Sequence, residues 1–254
     1  MKQIPNLFTL LNLVFGCLAI VYILQAGIEL VIDENGVNSI ILPEKIWMGS
    51  VFIGLAAVID FVDGFVARLF KASSAMGQQL DSLADLVSFG VAPGLIIYQF
   101  LRLSYAGEQN GVDASMAYLL PAFIIPCAAA WRLARFNLDT SQQYGFKGLP
   151  TPSAGMLIAS FPLLYWFSNN ATIVGVLQNK WFWYVVILFV SWLMVSSLPL
   201  MALKFKDFSV KNNLPKFILA AATIVSALLL GWLAVPVVFI LYILLSLAFK
   251  NKTA

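Results

Sequence analysis

The chain has 254 residues, 61% of them hydrophobic and only 11% charged, with a net charge of +3. That balance excludes a soluble globular domain and points to a polytopic membrane protein, with nothing to mark a nucleic-acid partner. With no histidine and two cysteines, it also excludes a Cys/His metal site; Cys17 and Cys127 lie in apolar runs and read as small buried hydrophobes, not a disulfide pair.

A span needs roughly 20 apolar residues. The first is expected over residues 7–26; the chain is uncharged from Gln3 to Ile28, too long for a signal-peptide core of about 7–15 residues. Pro5 suits a helix start, and Asn6, Thr9 and Asn12 share a face, which by itself suits capping and helix–helix hydrogen bonds. A polar loop over 29–45 leads to a second span, 46–70, that carries Asp60 and Asp63 near its far end. The third, 77–101, carries Asp81 and Asp85, and Pro93 inside it predicts a kink or weakened hydrogen bonding. A fourth follows at 114–135, then a polar connection over 137–151, a fifth span at 152–167 and a sixth at 181–203.

The last uncharged run, Phe217 to Phe249, would make a helix about 50 Å long, against a hydrocarbon core of about 30 Å. Gly231 and Pro236 near its middle predict a break into two short helices. The expected fold is therefore an all-α bundle of about eight spans. With both termini on one side, twelve Lys and Arg fall there and three (Lys45, Arg102 and Lys180) on the other. The positive-inside rule then puts the termini and all four acids at the cytoplasmic face of the cell membrane.

Those acids are the most informative feature. Asp60 and Asp63 are spaced i, i+3 and Asp81 and Asp85 i, i+4, so each pair shares a helix face; Gly64, Ala67 and Gly77 leave room beside them. Acids at the edge of apolar spans are expensive to desolvate and mark functional sites. Helix-end charges facing headgroups account for one or two, not for four at matched spacings. Clustered carboxylates repel one another and call for cations, and an all-oxygen set selects Mg²⁺, Mn²⁺ or Ca²⁺ over Zn²⁺. Four suffice for a two-metal site, whose usual work is phosphoryl transfer. A cation transporter is the rival class, but these acids gather at one membrane face with none at mid-span elsewhere.

The pattern D-x2-D-G-x2-A-R-x8-G-x3-D-x3-D is complete in Asp60, Asp63, Gly64, Ala67, Arg68, Gly77, Asp81 and Asp85. It resembles the signature of the CDP-alcohol phosphotransferases. The resemblance implies a membrane enzyme that moves a phospho-alcohol from a CDP carrier to an acceptor hydroxyl and releases CMP. It implies a Mg²⁺ or Mn²⁺ pair held by Asp60, Asp63 and Asp81, with Asp85 completing the site and serving as base. Asn6, Thr9, Gly64, Ala67, Arg68 and Gly77 would lie against the CDP moiety.

A second stretch, Arg132-Leu133-Ala134-Arg135-Phe136-Asn137 followed by Phe146-Lys147-Gly148-Leu149-Pro150-Thr151-Pro152, places two guanidinium forks at the level of the acids. Such forks suit a phosphate or carboxylate, and equally an anchor for anionic lipid. The stretch resembles the branch of the family that uses serine as acceptor, with Thr151 where serine is common. That implies CDP-diacylglycerol and L-serine as substrates, Arg132, Arg135 and Asn137 at the acceptor or phosphate, and a homodimer in the lipid bilayer. Glycerol 3-phosphate and inositol are the alternative acceptors. The resemblance covers roughly residues 1–170; it implies that these form the catalytic region, within a six-helix catalytic core, and that 171–254 form the C-terminal helices.

Overall fold

The computed structural model describes residues 4–25, 29–32, 38–42, 45–69, 74–107, 114–138, 146–201 and 210–249. They form an all-α membrane bundle. α1 (Ile4–Gln25) and α2 (Ile46–Leu69) pack along each other, and α1 also packs on α3 (Ala75–Leu86). A π-helical turn, Val87–Val91, joins α3 to α4 (Ala92–Ala106). The turn lies just before Pro93, where a kink or weakened hydrogen bonding is expected. Proline lacks an N–H and its ring crowds the carbonyl four residues back, so the widened turn absorbs both defects.

α5 (Met116–Leu119), a 3₁₀ turn and α6 (Ile124–Leu138) make the next span. α7 (Thr151–Phe167) is short and largely buried. α8 (Ala171–Leu177) meets α9 (Lys180–Val195) at a bend of 68°. The core lies between α4, α7 and α9, around the fully buried Trp183. Its ring stacks on Phe100 at 4.6 Å and meets Phe161 edge-on at 5.2 Å, while its indole N–H donates to the Leu177 carbonyl at 2.7 Å. The polar tip of the largest core side chain is thereby satisfied.

Five helical stretches are each long and apolar enough to cross a membrane: Pro5–Gln25, Ile46–Val66, Ala75–Ala106, Met116–Leu138 and Asn213–Ala248. The bent pair α8–α9 makes a sixth. The last stretch is α10 (Val210–Leu230) and α11 (Ala234–Ala248), joined through Gly231 at φ 54°. Left-handed backbone of this kind is what glycine permits, and the two arms pack on each other. The surface agrees with the membrane reading: Phe61 on α2 and Leu228 on α10 are 72% and 81% exposed, which suits an apolar surrounding rather than water.

Three expectations need correction. The sixth helix stops at Val195, not near 203, because Ser196 caps it in extended backbone and the chain turns into β4 (Pro199–Leu200), which pairs antiparallel with β3 (Phe146–Lys147). The 29–45 loop contains a small antiparallel ladder, β1 (Glu29–Ile32) with β2 (Asn38–Ile41); its β-branched residues favour extended backbone. Cys17 and Cys127 are unpaired, as expected, but exposed rather than buried, since the outer face of a span is itself apolar.

Candidate active site

Two helices deliver the acids. α2 presents Asp60 and Asp63 from its last turns, and α3 returns Asp81 and then Asp85 one turn deeper. One carboxylate oxygen from each of Asp60, Asp63 and Asp81 lies within 4.8 Å of the others. That is the separation at which oxygens converge on a shared cation. Asp85 is next to Asp60, at side-chain hydrogen-bonding range. Asp63 and Asp85 are buried, and Asp60 and Asp81 are half-buried. Among the described residues this trio is the one group of three or more acidic or cysteine side chains close enough to hold a metal.

Helix α1 supplies the third wall. Thr9 Oγ1 lies 2.8 Å from Asp63 Oδ2 and 3.2 Å from the Pro5 carbonyl, so its single proton serves the nearer carboxylate. One turn on, Asn12 Nδ2 donates to Asp85 Oδ1 at 3.3 Å, and the Asn12 carbonyl accepts from Ser88 Oγ at 3.1 Å, tying α1 to the π-helical turn. Asn12 Oδ1 is buried without a protein partner.

Beside the trio opens a cleft of about 540 Å³, lined by Asn6, Thr9, Asp63, Gly64, Gly77 and Asp81 among others. The N-terminus of α3 faces it: Ser74 caps the helix by accepting from the Gly77 amide at 3.0 Å. Free N–H groups and the positive end of the helix dipole suit a phosphate there. Gly77 packs closely here: a Cβ would sit 3.1 Å from Asn6 Oδ1 and 3.2 Å from Ser74 Oγ. Gly64 opens onto free space.

The basic stretch divides. Arg132 is buried, donates from Nη1 to Thr151 Oγ1 at 2.6 Å, and stacks over Phe136 at 5.5 Å. It interacts electrostatically with Asp85, and its Nε is buried without a protein partner. Arg135 donates to the Val195 carbonyl at the end of α9, 3.1 Å away. Asn137 donates to Ser82 Oγ at 2.9 Å and accepts from Gln78 Nε2 at 3.3 Å, so it links α6 to α3. The side chains of Ala67 and Arg68, expected at the CDP moiety, lie outside the described residues.

Sequence reasoning gave Gln78, Ser82 and Ser88 no role. Spacing offers a signal for each: Gln78 is three residues before Asp81 and four before Ser82, and Ser88 is three after Asp85. Asn12 carried a signal, the i+3 step from Thr9.

Comparison with known proteins agrees with this geometry. A profile of CDP-alcohol phosphatidyltransferases matches residues 2–179. The chain is 33% identical over 221 residues to the CDP-diacylglycerol–serine O-phosphatidyltransferase of Helicobacter pylori strain J99, across 85% of this chain and 77% of that one. Identity to the Bacillus subtilis protein of the same name is 33% over 165 residues, covering 65% of this chain and 78% of that one. The Saccharomyces cerevisiae protein of that name is 41% identical over 125 residues, covering 46% and 41%. The chain belongs to the CDP-alcohol phosphatidyltransferase family.

Proposed function

We propose that the chain transfers the phosphatidyl group of CDP-diacylglycerol to L-serine, giving phosphatidylserine and CMP, at a two-metal carboxylate site. The observation that carries the reading is the convergence of Asp60, Asp63 and Asp81 within 4.8 Å beside a cleft headed by a helix N-terminus. The choice of serine rests on the names of the relatives and on the buried Arg132.

An all-oxygen donor set of this kind fits Mg²⁺ or Mn²⁺. Asp60, Asp63 and Asp81 would hold the pair, with Asp85 at its edge. Bound there, the cations would neutralise the diphosphate and the departing CMP. The protein's own groups do the rest. The α3 N-terminus and Gly77 receive the diphosphate, while Asn6 and Thr9 flank the nucleotide. Arg132 grips the serine carboxylate. The serine hydroxyl attacks phosphorus in line and passes its proton to an Asp85 oxygen. A P–O bond to serine forms as the P–O bond to CMP breaks. The acyl chains enter from the bilayer, and the site faces the cytoplasm, in line with the charge bias of the loops. The working unit is a homodimer.

Purified protein in mixed micelles should release CMP from CDP-diacylglycerol only when serine and a divalent cation are both present. Release that ignores serine, or survives chelation, contradicts the reading.

A further inference from the structure

The last helix carries none of the motif residues, yet its polar side chains are buried. Ser246 is fully buried and Tyr242 nearly so. Tyr242 donates from its hydroxyl to the Met201 carbonyl at 3.0 Å. Ser246 Oγ accepts from the Met201 amide at 3.2 Å and donates to the Tyr242 carbonyl at 2.7 Å. Both polar ends of one buried residue, Met201, are thus held by α11. Buried hydroxyls in an apolar helix are retained only where they are paired, and here both are spent on one backbone residue rather than on their own helix alone.

Met201 follows β4, and β4 pairs with β3. From β3 the chain passes through Gly148 and Leu149 into Thr151. Gly148 donates to the Leu198 carbonyl and Leu149 to the Leu193 carbonyl, each at 2.9 Å. Gly148 is at φ 79°, and a Cβ there would sit 2.6 Å from the Ser196 carbonyl oxygen and 2.7 Å from that of Met194, so this strap is pressed against the end of α9. Its far end is Thr151, fully buried, whose Oγ1 accepts the hydrogen bond from Arg132 Nη1. Tyr242 also lies within electrostatic reach of Arg132. A continuous run of hydrogen bonds and paired backbone therefore joins α11 to the guanidinium beside Asp85.

We propose that Tyr242 and Ser246 are positioning residues for the acceptor. By locking Met201 they fix the β3–β4 strap, and the strap fixes Thr151 and the aim of the Arg132 fork. The proposal rests on Arg132 being the acceptor-binding residue. It makes the C-terminal helix part of the acceptor site and leaves the CDP cleft, built by α1, α2 and α3, independent of it.

The test compares Tyr242→Phe, Ser246→Ala and Ser246→Thr with wild type in the full-length protein. Tyr242→Phe and Ser246→Ala should raise the KM for serine about fivefold, the effect of losing one modest hydrogen bond. The KM for CDP-diacylglycerol and the affinity for Mn²⁺ should stay within about twofold. Ser246→Thr keeps the hydroxyl and should restore the wild-type KM. Hydrogen exchange at the Gly148 and Leu149 amides should quicken in the first two variants, a readout that needs no turnover. An unchanged serine KM, an equal loss for both substrates, or unchanged exchange at those amides overturns the proposal. A wild type that prefers another acceptor overturns the serine assignment instead; the KM for that acceptor then replaces that for serine, and the exchange result stands alone.

Discussion

Thr9 on α1 and Asp63 on α2 are joined across 2.8 Å by a hydrogen bond buried inside the bundle. The bond orients a carboxylate that the acid trio needs, from a helix that contributes no acid of its own. Hydrogen bonds to charged groups are worth about 1.5–3 kcal/mol, and a buried acceptor left without one costs its desolvation.

Thr9→Val keeps the shape and removes the donor. Mn²⁺ affinity, followed by electron paramagnetic resonance, should fall about tenfold or more at 1.4 kcal/mol per decade. Thr9→Ser should recover most of it.

Asp63 and Asp85 should separate on mutation. Asp63→Asn removes a member of the trio and should weaken Mn²⁺ and CDP-diacylglycerol binding together. Asp85→Asn leaves the trio intact and should preserve most of that binding while kcat falls by about 10²–10⁴, the range for losing a general base. Near-normal turnover in Asp85→Asn would rule out its role as the base.

Gly77→Ala places a methyl against Asn6 Oδ1 and Ser74 Oγ at 3.1 and 3.2 Å. These are tight but not impossible contacts, so the protein should fold. The KM for CDP-diacylglycerol should rise several-fold with little change in the KM for serine. An equal rise for both would argue against the cleft as the nucleotide site.

The charge bias predicts opposite faces for the 29–45 and 204–216 segments. Single cysteines at Asn35 and Asn212, in a background lacking Cys17 and Cys127, should react with an impermeant maleimide from opposite sides of the membrane. Reaction of both from one side contradicts the topology.

Much of this architecture was legible because apolar runs and charge punctuation are strong signals in a membrane chain. The acid spacing was legible because an i, i+3 or i, i+4 step fixes a shared face, and Asp60, Asp63 and Asp81 do converge. What escaped depends on the third dimension. Arg135 shares a helix face with Arg132, yet it sits about 4.5 Å further along α6, level with the end of α9, where it donates to the Val195 carbonyl. Asn137, expected at the acceptor or phosphate, also clasps α3 through Gln78 and Ser82, a contact that no spacing within α6 foretells. The end of α9 at Val195 was missed because the run stays uncharged through Leu203, although Ser196, Ser197 and Pro199 punctuate it; Ser196 caps the helix and the chain then pairs with 146–147. Tyr242 and Ser246 gave no signal because they touch backbone, which has no residue type to recognise.

The measurement that bears most directly on the central claim is product identity under competition. Purified protein given CDP-diacylglycerol, Mg²⁺ or Mn²⁺, and equimolar serine, glycerol 3-phosphate and inositol should yield phosphatidylserine as the dominant lipid by mass spectrometry, with one CMP per lipid formed. A product dominated by phosphatidylglycerol phosphate or phosphatidylinositol, or CMP without any of the three lipids, would contradict it.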